Sequence, residues 1–142
     1  MIAVDTNILI YAHREDSEFH KEALNALIDL AEGSRRWAIP WPCIHEFIAI
    51  TTHPSIYVPP TPLETALQSL QVWIESAMCQ IIGEGPGYFA RLQELSLKAK
   101  VKGPAIHDAR IAAICLYNGV TELWTMDRDF SRYSALKTVN PV

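Results

Sequence analysis

Short apolar runs alternate with longer amphipathic segments along nearly the whole chain, and this alternation restricts the possible folds more than any other feature. Helical segments that separate successive strands predict a mainly parallel sheet with helices on both faces, which is an α/β fold. The strands are predicted at Met1–Val4, Trp37–Pro40, Cys79–Ile82 and Glu122–Thr125, with a fifth, edge strand at Lys137–Val139.

Residues that favour helix ends mark the segments between the strands. Ser17 is predicted to cap a helix that ends at Gly33. Thr61 to Glu64 is the best-marked start, because a capping threonine, a proline at the first helical position and a glutamate three residues past the cap follow one another. That helix is predicted to run to about Ser76. The other predicted helices are Asn7–His13, one with Pro42 in its first turn that ends at His53–Pro54, Tyr88–Lys100 and His107–Asn118.

Composition indicates a globular chain, predicted to form one domain over residues 1–142. The hydrophobic fraction is 49%, which is too high for a disordered protein. The net charge of −4 argues against a protein that coats nucleic acid by bulk electrostatics. It leaves open an enzyme that reaches phosphates through bound metal ions and a few arginines. Cys43, Cys79 and Cys115 form no CxxC pair, so they are predicted to be reduced thiols rather than disulfides or zinc ligands.

The sequence contains no apolar run of the roughly 18 residues that a membrane span requires. The first residues also lack the basic start and long apolar stretch of a secretory signal. A cytoplasmic protein is therefore expected.

Acidic residues follow two of the predicted strands. Asp5 comes directly after the first strand, Asp127 lies two residues after the fourth, and Asp129 lies two further on. Ligands of open parallel sheets bind beyond the carboxyl ends of the strands, where the strand order reverses. Asp5 and Asp127 are therefore expected to face one crevice.

Two helical acids are candidates for the same crevice. Asp108 stands in the first turn of its helix, where the helix dipole favours a negative charge, and Glu46 lies among apolar residues one turn into its helix. Four carboxylates in one pocket would repel one another unless a divalent cation bound there. An all-oxygen ligand set favours Mg²⁺ or Mn²⁺. Each acid taken singly also fits a turn, a helix cap or a solvated surface, so only their common placement favours a site.

Three other motifs are incomplete. His45-Glu46 begins a zinc-protease pattern, but Ala49 stands where the second histidine is needed. The Gly83–Gly87 segment has a misplaced third glycine, and Pro86 lacks the N–H that a phosphate would need. An aspartyl-phosphate phosphatase would carry a second aspartate at position 7, which is Asn.

Four segments in the same order resemble the PIN-domain family, specifically the VapC-type toxins of bacterial toxin–antitoxin pairs. They are Ile2-Ala3-Val4-Asp5-Thr6-Asn7, Ile44-His45-Glu46-Phe47, His107-Asp108-Ala109-Arg110-Ile111-Ala112-Ala113 and Leu123-Trp124-Thr125-Met126-Asp127-Arg128-Asp129-Phe130. In addition, Thr52-His53-Pro54 resembles a segment of one VapC subgroup. The resemblance extends from Ile2 to about Pro141.

This resemblance implies a three-layer PIN-like fold with sheet order 3-2-1-4-5 and Mg²⁺-dependent hydrolysis of RNA phosphodiester bonds, with Mn²⁺ as a possible substitute. The implied metal-binding and catalytic acids are Asp5, Glu46, Asp108 and Asp127, with Asp129 as a less certain fifth acid and Thr6, Asn7 and Thr125 as supporting hydrogen-bond residues. Glu46 is either a ligand or the group that orients the attacking water.

The expected partners are single-stranded or looped RNA, a VapB-like antitoxin and a second copy of the chain. Candidate phosphate contacts are Arg14, Arg110, Arg128, Arg132 and the Lys98–Lys102 stretch, although solvated surface charge is the simpler interpretation of each. Trp37 and Trp41 are candidates for base stacking, with core or dimer packing favoured, and helix faces around Phe47 and Leu67 are candidates for a dimer interface. Two alternatives remain at this point: an RNA-processing nuclease without an antitoxin, and a non-catalytic binding module stabilised by metal.

Overall fold

The computed structural model describes all 142 residues and contains five short strands. They are β1 (Ile2–Val4), β2 (Trp37–Pro40), β3 (Cys79–Ile82), β4 (Glu122–Trp124) and β5 (Lys137–Val139). All four neighbouring pairs are parallel, and the order across the sheet is β3-β2-β1-β4-β5. The predicted α/β class and strand order are therefore confirmed.

Six helices connect the strands. They are α1 (Thr6–His13), α2 (His20–Glu32), α3 (Trp41–Thr51), α4 (Leu63–Ile74), α5 (Tyr88–Lys98) and α6 (Ile106–Tyr117). Two short 3₁₀ segments, Gly103–Ala105 and Arg128–Arg132, were not predicted. No helix in the fold combines the length and the apolar character that crossing a membrane would require.

The central strand β1 explains why the acids can meet. Every residue of β1 is fully buried, as expected for a parallel strand that is covered on both faces. Val4 is in register with Trp124 of β4, and the amide of Asp5 donates to the carbonyl of Trp124 at 2.9 Å. The chain segments that follow β1 and β4 consequently begin side by side, at the point where the strand order reverses.

Two predicted helix caps are wrong. Ser17 accepts a hydrogen bond from the amide of Phe19 within a turn, and α2 begins only at His20. Thr61 does not cap α4, because its buried hydroxyl lies 3.0 Å from His13 Nε2 and accepts a hydrogen bond from Arg14. Tertiary partners thus occupy a hydroxyl group that the local sequence offers to a helix start.

Two predicted helix ends are also slightly too late. α4 ends at Ile74 rather than near Ser76, and α5 ends at Lys98 rather than Lys100. Lys100 has a positive φ of 53°, so the chain has already left the helical conformation there.

Candidate metal centre

Asp5 is the buried centre of the site. It stands between β1 and α1 and is only 4% exposed. Its Oδ1 accepts hydrogen bonds from the amide of Thr6 at 2.8 Å and from the thiol of Cys43 at 3.7 Å. Its Oδ2 accepts from the hydroxyl of Thr125 at 2.7 Å and from Asn7 Nδ2 at 3.1 Å. The carboxylate is therefore fixed by four donors from three different segments.

Thr125 and Asn7 join the segment after β1 to the segment after β4. The Thr125 hydroxyl donates to Asp5 and accepts from the amide of Asp127 at 2.9 Å and from Asn7 Nδ2 at 3.2 Å. Asn7 Oδ1 in turn accepts from the amide of Met126 at 3.2 Å. The structure thus brings Asp5 and Asp127 together through one shared hydroxyl group, and it gives Asn7 and Thr125 supporting contacts.

Glu46 reaches the site from α3. The hydroxyl of Thr6 donates to its Oε2 at 2.7 Å, and this contact fixes the carboxylate relative to the first turn of α1. Cys43, which the sequence analysis did not place in the site, lies three residues earlier on the same helix face. Its i, i+3 spacing from Glu46 was the sequence feature from which the position of Cys43 near the site could have been predicted.

One cavity of about 190 Å³ is lined by all four predicted acids. Asp5, Glu46, Asp108 and Asp127 share this lining with Thr6 and Asn7. Ile10, Ile50 and Ile111 form the apolar part of the wall. The carboxylates thus share a concave surface with apolar side chains, where they interact more strongly with one another than on an open, fully solvated surface.

The tightest carboxylate cluster differs from the predicted group of four. Asp108, Asp127 and Asp129 can each offer an oxygen such that all three oxygens lie within 4.8 Å of one another. Asp129 is exposed, and its amide donates to Asp127 Oδ1 at 2.8 Å. Asp5 is not a member of this cluster, although it lines the same cavity as Asp108 and Asp127.

The electrostatics of the site disfavour the simultaneous ionisation of its acids. Burial, together with the charges of Glu46 and Asp108, raises the pKa of Asp5 from 3.8 to about 6, against the lowering effect of the hydrogen bonds from Thr125 and Thr6. Burial also raises the pKa of Asp108, and the charges of Asp127, Glu46 and Asp129 add to this. A divalent cation bound by these oxygens would remove the repulsion, and an all-oxygen set suits Mg²⁺ or Mn²⁺.

The predicted RNA contacts differ in how free they are. Arg14 is paired with Asp16 at 2.6 Å, and Arg110 is paired with Glu84, so both charges are already neutralised within the protein. Arg128 and Arg132 are exposed and form no ion pair. The latter two remain available to a phosphate.

Burial decides the predicted aromatic and dimer contacts. Trp37 is fully buried within β2, which confirms the favoured core packing and excludes base stacking for this residue, whereas Trp41 is 45% exposed. Phe47 is also fully buried and cannot supply a dimer interface, whereas Leu67 is 46% exposed. Apolar periodicity alone does not separate a core position from an exposed one.

Comparison with known proteins gives concordant matches over the whole chain. The sequence model of the PIN domain matches residues 2–136. The curated protein "Ribonuclease VapC43" of Mycobacterium tuberculosis is 28% identical over 142 residues, which is 100% of this chain and 96% of that protein. Among solved structures, the chain superposes on VapBC2 from Rickettsia felis with a TM-score of 0.71, at 20% identity over 99% of this chain and 98% of that chain. That structure contains VapBC2 bound to a DNA fragment from its promoter. VapC20 of Mycobacterium tuberculosis, a toxin that cleaves the sarcin-ricin loop, superposes with a TM-score of 0.67 at 14% identity over 92% and 93% of the two chains.

Proposed function

The chain belongs to the PIN domain family, and on that premise we propose that it is a VapC-type toxin, a Mg²⁺-dependent endoribonuclease that hydrolyses phosphodiester bonds in single-stranded or looped RNA. The observation that carries the proposal is the single cavity lined by Asp5, Glu46, Asp108 and Asp127. Curated relatives of the chain are named ribonucleases, which supports RNA as the proposed substrate. We assign the whole of residues 1–142 to one PIN domain.

Asp5, Asp108 and Asp127 are proposed to bind the metal, with Asp129 as an additional exposed ligand. The bound Mg²⁺, for which Mn²⁺ can substitute, would lower the pKa of a water molecule and offset negative charge on the phosphate. Glu46 is either a further ligand or the carboxylate that orients the attacking water. Its contact with Thr6 holds it at the cavity wall in both cases.

RNA is proposed to approach with its bases unpaired, because a duplex hides the base edges in a deep, narrow groove. Arg128 directly follows Asp127 and is exposed, so it is the predicted contact to a phosphate near the cut. Arg110 can contribute only if RNA displaces its partner Glu84.

The proposed protein partner is a VapB-like antitoxin. The solved VapBC2 structure contains this kind of assembly, and the acidic cavity is complementary to a basic side chain that an inhibitory segment would present. A homodimer and a cytoplasmic location complete the proposal, and both remain predictions.

The experiment that tests the proposed activity compares RNA ends before and after brief expression of the chain. New 5′ ends at defined positions are expected, and purified protein should produce the same ends with Mg²⁺ but not with EDTA. Ends that appear equally in EDTA would contradict a metal-dependent enzyme. A toxin should be inhibited by the product of a small adjacent gene, so deletion of that gene should release RNA cleavage. A general RNA-processing nuclease would show no such inhibition.

Thr125→Val is expected to lower the rate of RNA cleavage by about 10- to 100-fold, as is typical when a residue that orients a metal ligand is lost. Valine keeps the shape of threonine but cannot donate to Asp5 or accept from the amide of Asp127. Thr125→Ser retains the hydroxyl and should preserve most of the rate. Equal rates for the valine and serine variants would show that the shared hydroxyl does not position the acids.

A further inference from the structure

A second cavity, of about 80 Å³, lies between α5 and the segment that follows the 3₁₀ turn Arg128–Arg132. Its inner wall includes Leu95, Leu116 and the ring of Tyr133. Three cationic side chains, Arg91, Lys98 and Arg132, also line it, whereas Glu94 is its only acid. The charge of this cavity is thus opposite to that of the acidic site.

None of the three cations lies within ion-pair distance of an acid. The ion pairs of the structure are Arg14–Asp16, Arg110–Glu84 and Lys137–Glu122, and none of them involves a residue of this cavity. Each of the three is exposed and can turn toward a ligand. Charges that are left unpaired around a concave, partly apolar surface attract an anion more strongly than charges on an open surface.

Tyr133 supplies an independent observation at the same wall. The residue is only 3% exposed, and its hydroxyl has no hydrogen-bond partner in the protein. A buried hydroxyl without a partner is energetically unfavourable, because it has lost its hydrogen bonds to water. Tyr133 lines the cavity, so a ligand oxygen there would satisfy the hydroxyl once the side chains that cover it move.

The cavity adjoins the acidic site. Arg132 ends the 3₁₀ segment that begins directly after Asp127. Burial raises the pKa of both Asp108 and Tyr133; the charge of Arg132 opposes the rise at Asp108, and the charges of Asp108 and Asp129 add to the rise at Tyr133. The two cavities are therefore close enough to interact electrostatically.

We propose that Arg91, Lys98, Arg132 and Tyr133 form a subsite for one backbone phosphate of the RNA strand, flanking the phosphate that is cut. This inference rests on the proposed ribonuclease function and adds a substrate-binding element to it. Size favours a phosphate over a base, since an apolar cavity of roughly 150 Å³ is the kind that encloses one benzene ring, and about 80 Å³ is too small for a nucleobase. A phosphodiester accepts hydrogen bonds from guanidinium, ammonium and hydroxyl groups alike.

The test measures binding of a single-stranded RNA oligonucleotide in EDTA, where cleavage is blocked, and cleavage kinetics in Mg²⁺. The double variant Arg91→Ala/Lys98→Ala is expected to bind RNA at least about tenfold more weakly and to raise KM more than it lowers kcat. Because one phosphate contact is lost, the negative slope of log affinity against log salt should become about 0.7 less steep. The matched control is Arg35→Ala/Arg36→Ala, which removes two exposed arginines just before β2, at the amino ends of the strands and so at the end of the sheet opposite to the acidic site.

Tyr133→Phe tests the hydroxyl separately. It should weaken RNA binding several-fold while leaving the melting temperature unchanged or higher, because the hydroxyl has no partner to lose within the protein. If Tyr133 had only a structural role, Tyr133→Phe would lower the melting temperature and leave RNA binding unchanged.

The outcomes separate the subsite from the function on which it rests. Failure of the unchanged protein to cut any RNA in Mg²⁺ would overturn the proposed function. Normal cutting combined with an Arg91→Ala/Lys98→Ala variant that binds RNA like the Arg35→Ala/Arg36→Ala control would overturn the subsite alone. Loss of affinity for an antitoxin peptide, with RNA affinity unchanged, would assign this surface to a protein partner and would also overturn the subsite.

Discussion

Asp5→Asn is expected to reduce Mg²⁺-dependent RNA cleavage by at least about 100-fold while the protein remains folded. Loss of a residue that merely orients a ligand costs about 10- to 100-fold, so loss of a ligand's own charge should cost at least as much. Asparagine has almost the same shape as aspartate, so it leaves the core around β1 filled. Its amide group, however, would face Thr6, Asn7 or Thr125, all of which donate to Asp5.

The control for this prediction is Asp29→Asn on the exposed side of α2, which makes the same chemical change far from the cavity. It should cut RNA at the normal rate. Circular dichroism and a cooperative unfolding transition would verify that Asp5→Asn is folded. A folded Asp5→Asn protein that cleaves like the control would refute the assignment of Asp5 to the site.

The second large effect concerns the stability of the protein without metal. The pKa of Asp5 is about 6 in the folded protein and 3.8 in an ordinary environment, so the folded state binds its proton more tightly than the unfolded chain does. Stability from this group is therefore gained as the pH falls through 6 and is lost as the pH rises. Between pH 7.5 and pH 4.5 its contribution should change by about 2 kcal/mol.

This change is measured best as a difference between two proteins. The pKa of His13 is lowered by burial, so protonation of His13 acts in the opposite direction over part of the same pH range. Urea unfolding in EDTA should show that the stability of Asp5→Asn relative to the unchanged protein is about 2 kcal/mol higher at pH 7.5 than at pH 4.5. Saturating Mg²⁺ should stabilise the unchanged protein at pH 7.5 and should stabilise the variant much less. A stability difference between the two proteins that does not vary with pH would contradict a raised pKa for Asp5.

The sequence predicts the central strands well because they are buried on both faces and therefore form continuous apolar runs, as β1 and β2 do. The edge strands β3 and β5 are only partly buried, yet Cys79–Ile82 and Lys137–Val139 were also located to the residue. The strand order itself came from the family resemblance rather than from the runs. Asp5 and Asp127 could be placed at one edge because parallel strands end on the same side of a sheet.

Contacts between residues far apart in sequence account for what could not be predicted. Thr61 has every local mark of a helix cap, yet its hydroxyl is used by His13 and Arg14, which lie nearly fifty residues away. Thr125 was expected as a supporting residue from the family resemblance alone, since nothing in its local sequence indicates that its hydroxyl links Asp5 to Asp127. The same holds for the pairing of Arg110 with Glu84, which neutralises a predicted RNA contact.

The most direct measurement of the central idea is anomalous diffraction from a crystal of this protein soaked in Mn²⁺. We predict one strong peak in the cavity between Asp5, Asp108 and Asp127, within about 2.5 Å of oxygens from at least two of these residues. The peak should be absent from a crystal of the Asp5→Asn protein prepared in the same way. Mn²⁺ bound only elsewhere on the surface, with these carboxylates bare at saturating metal, would contradict the account.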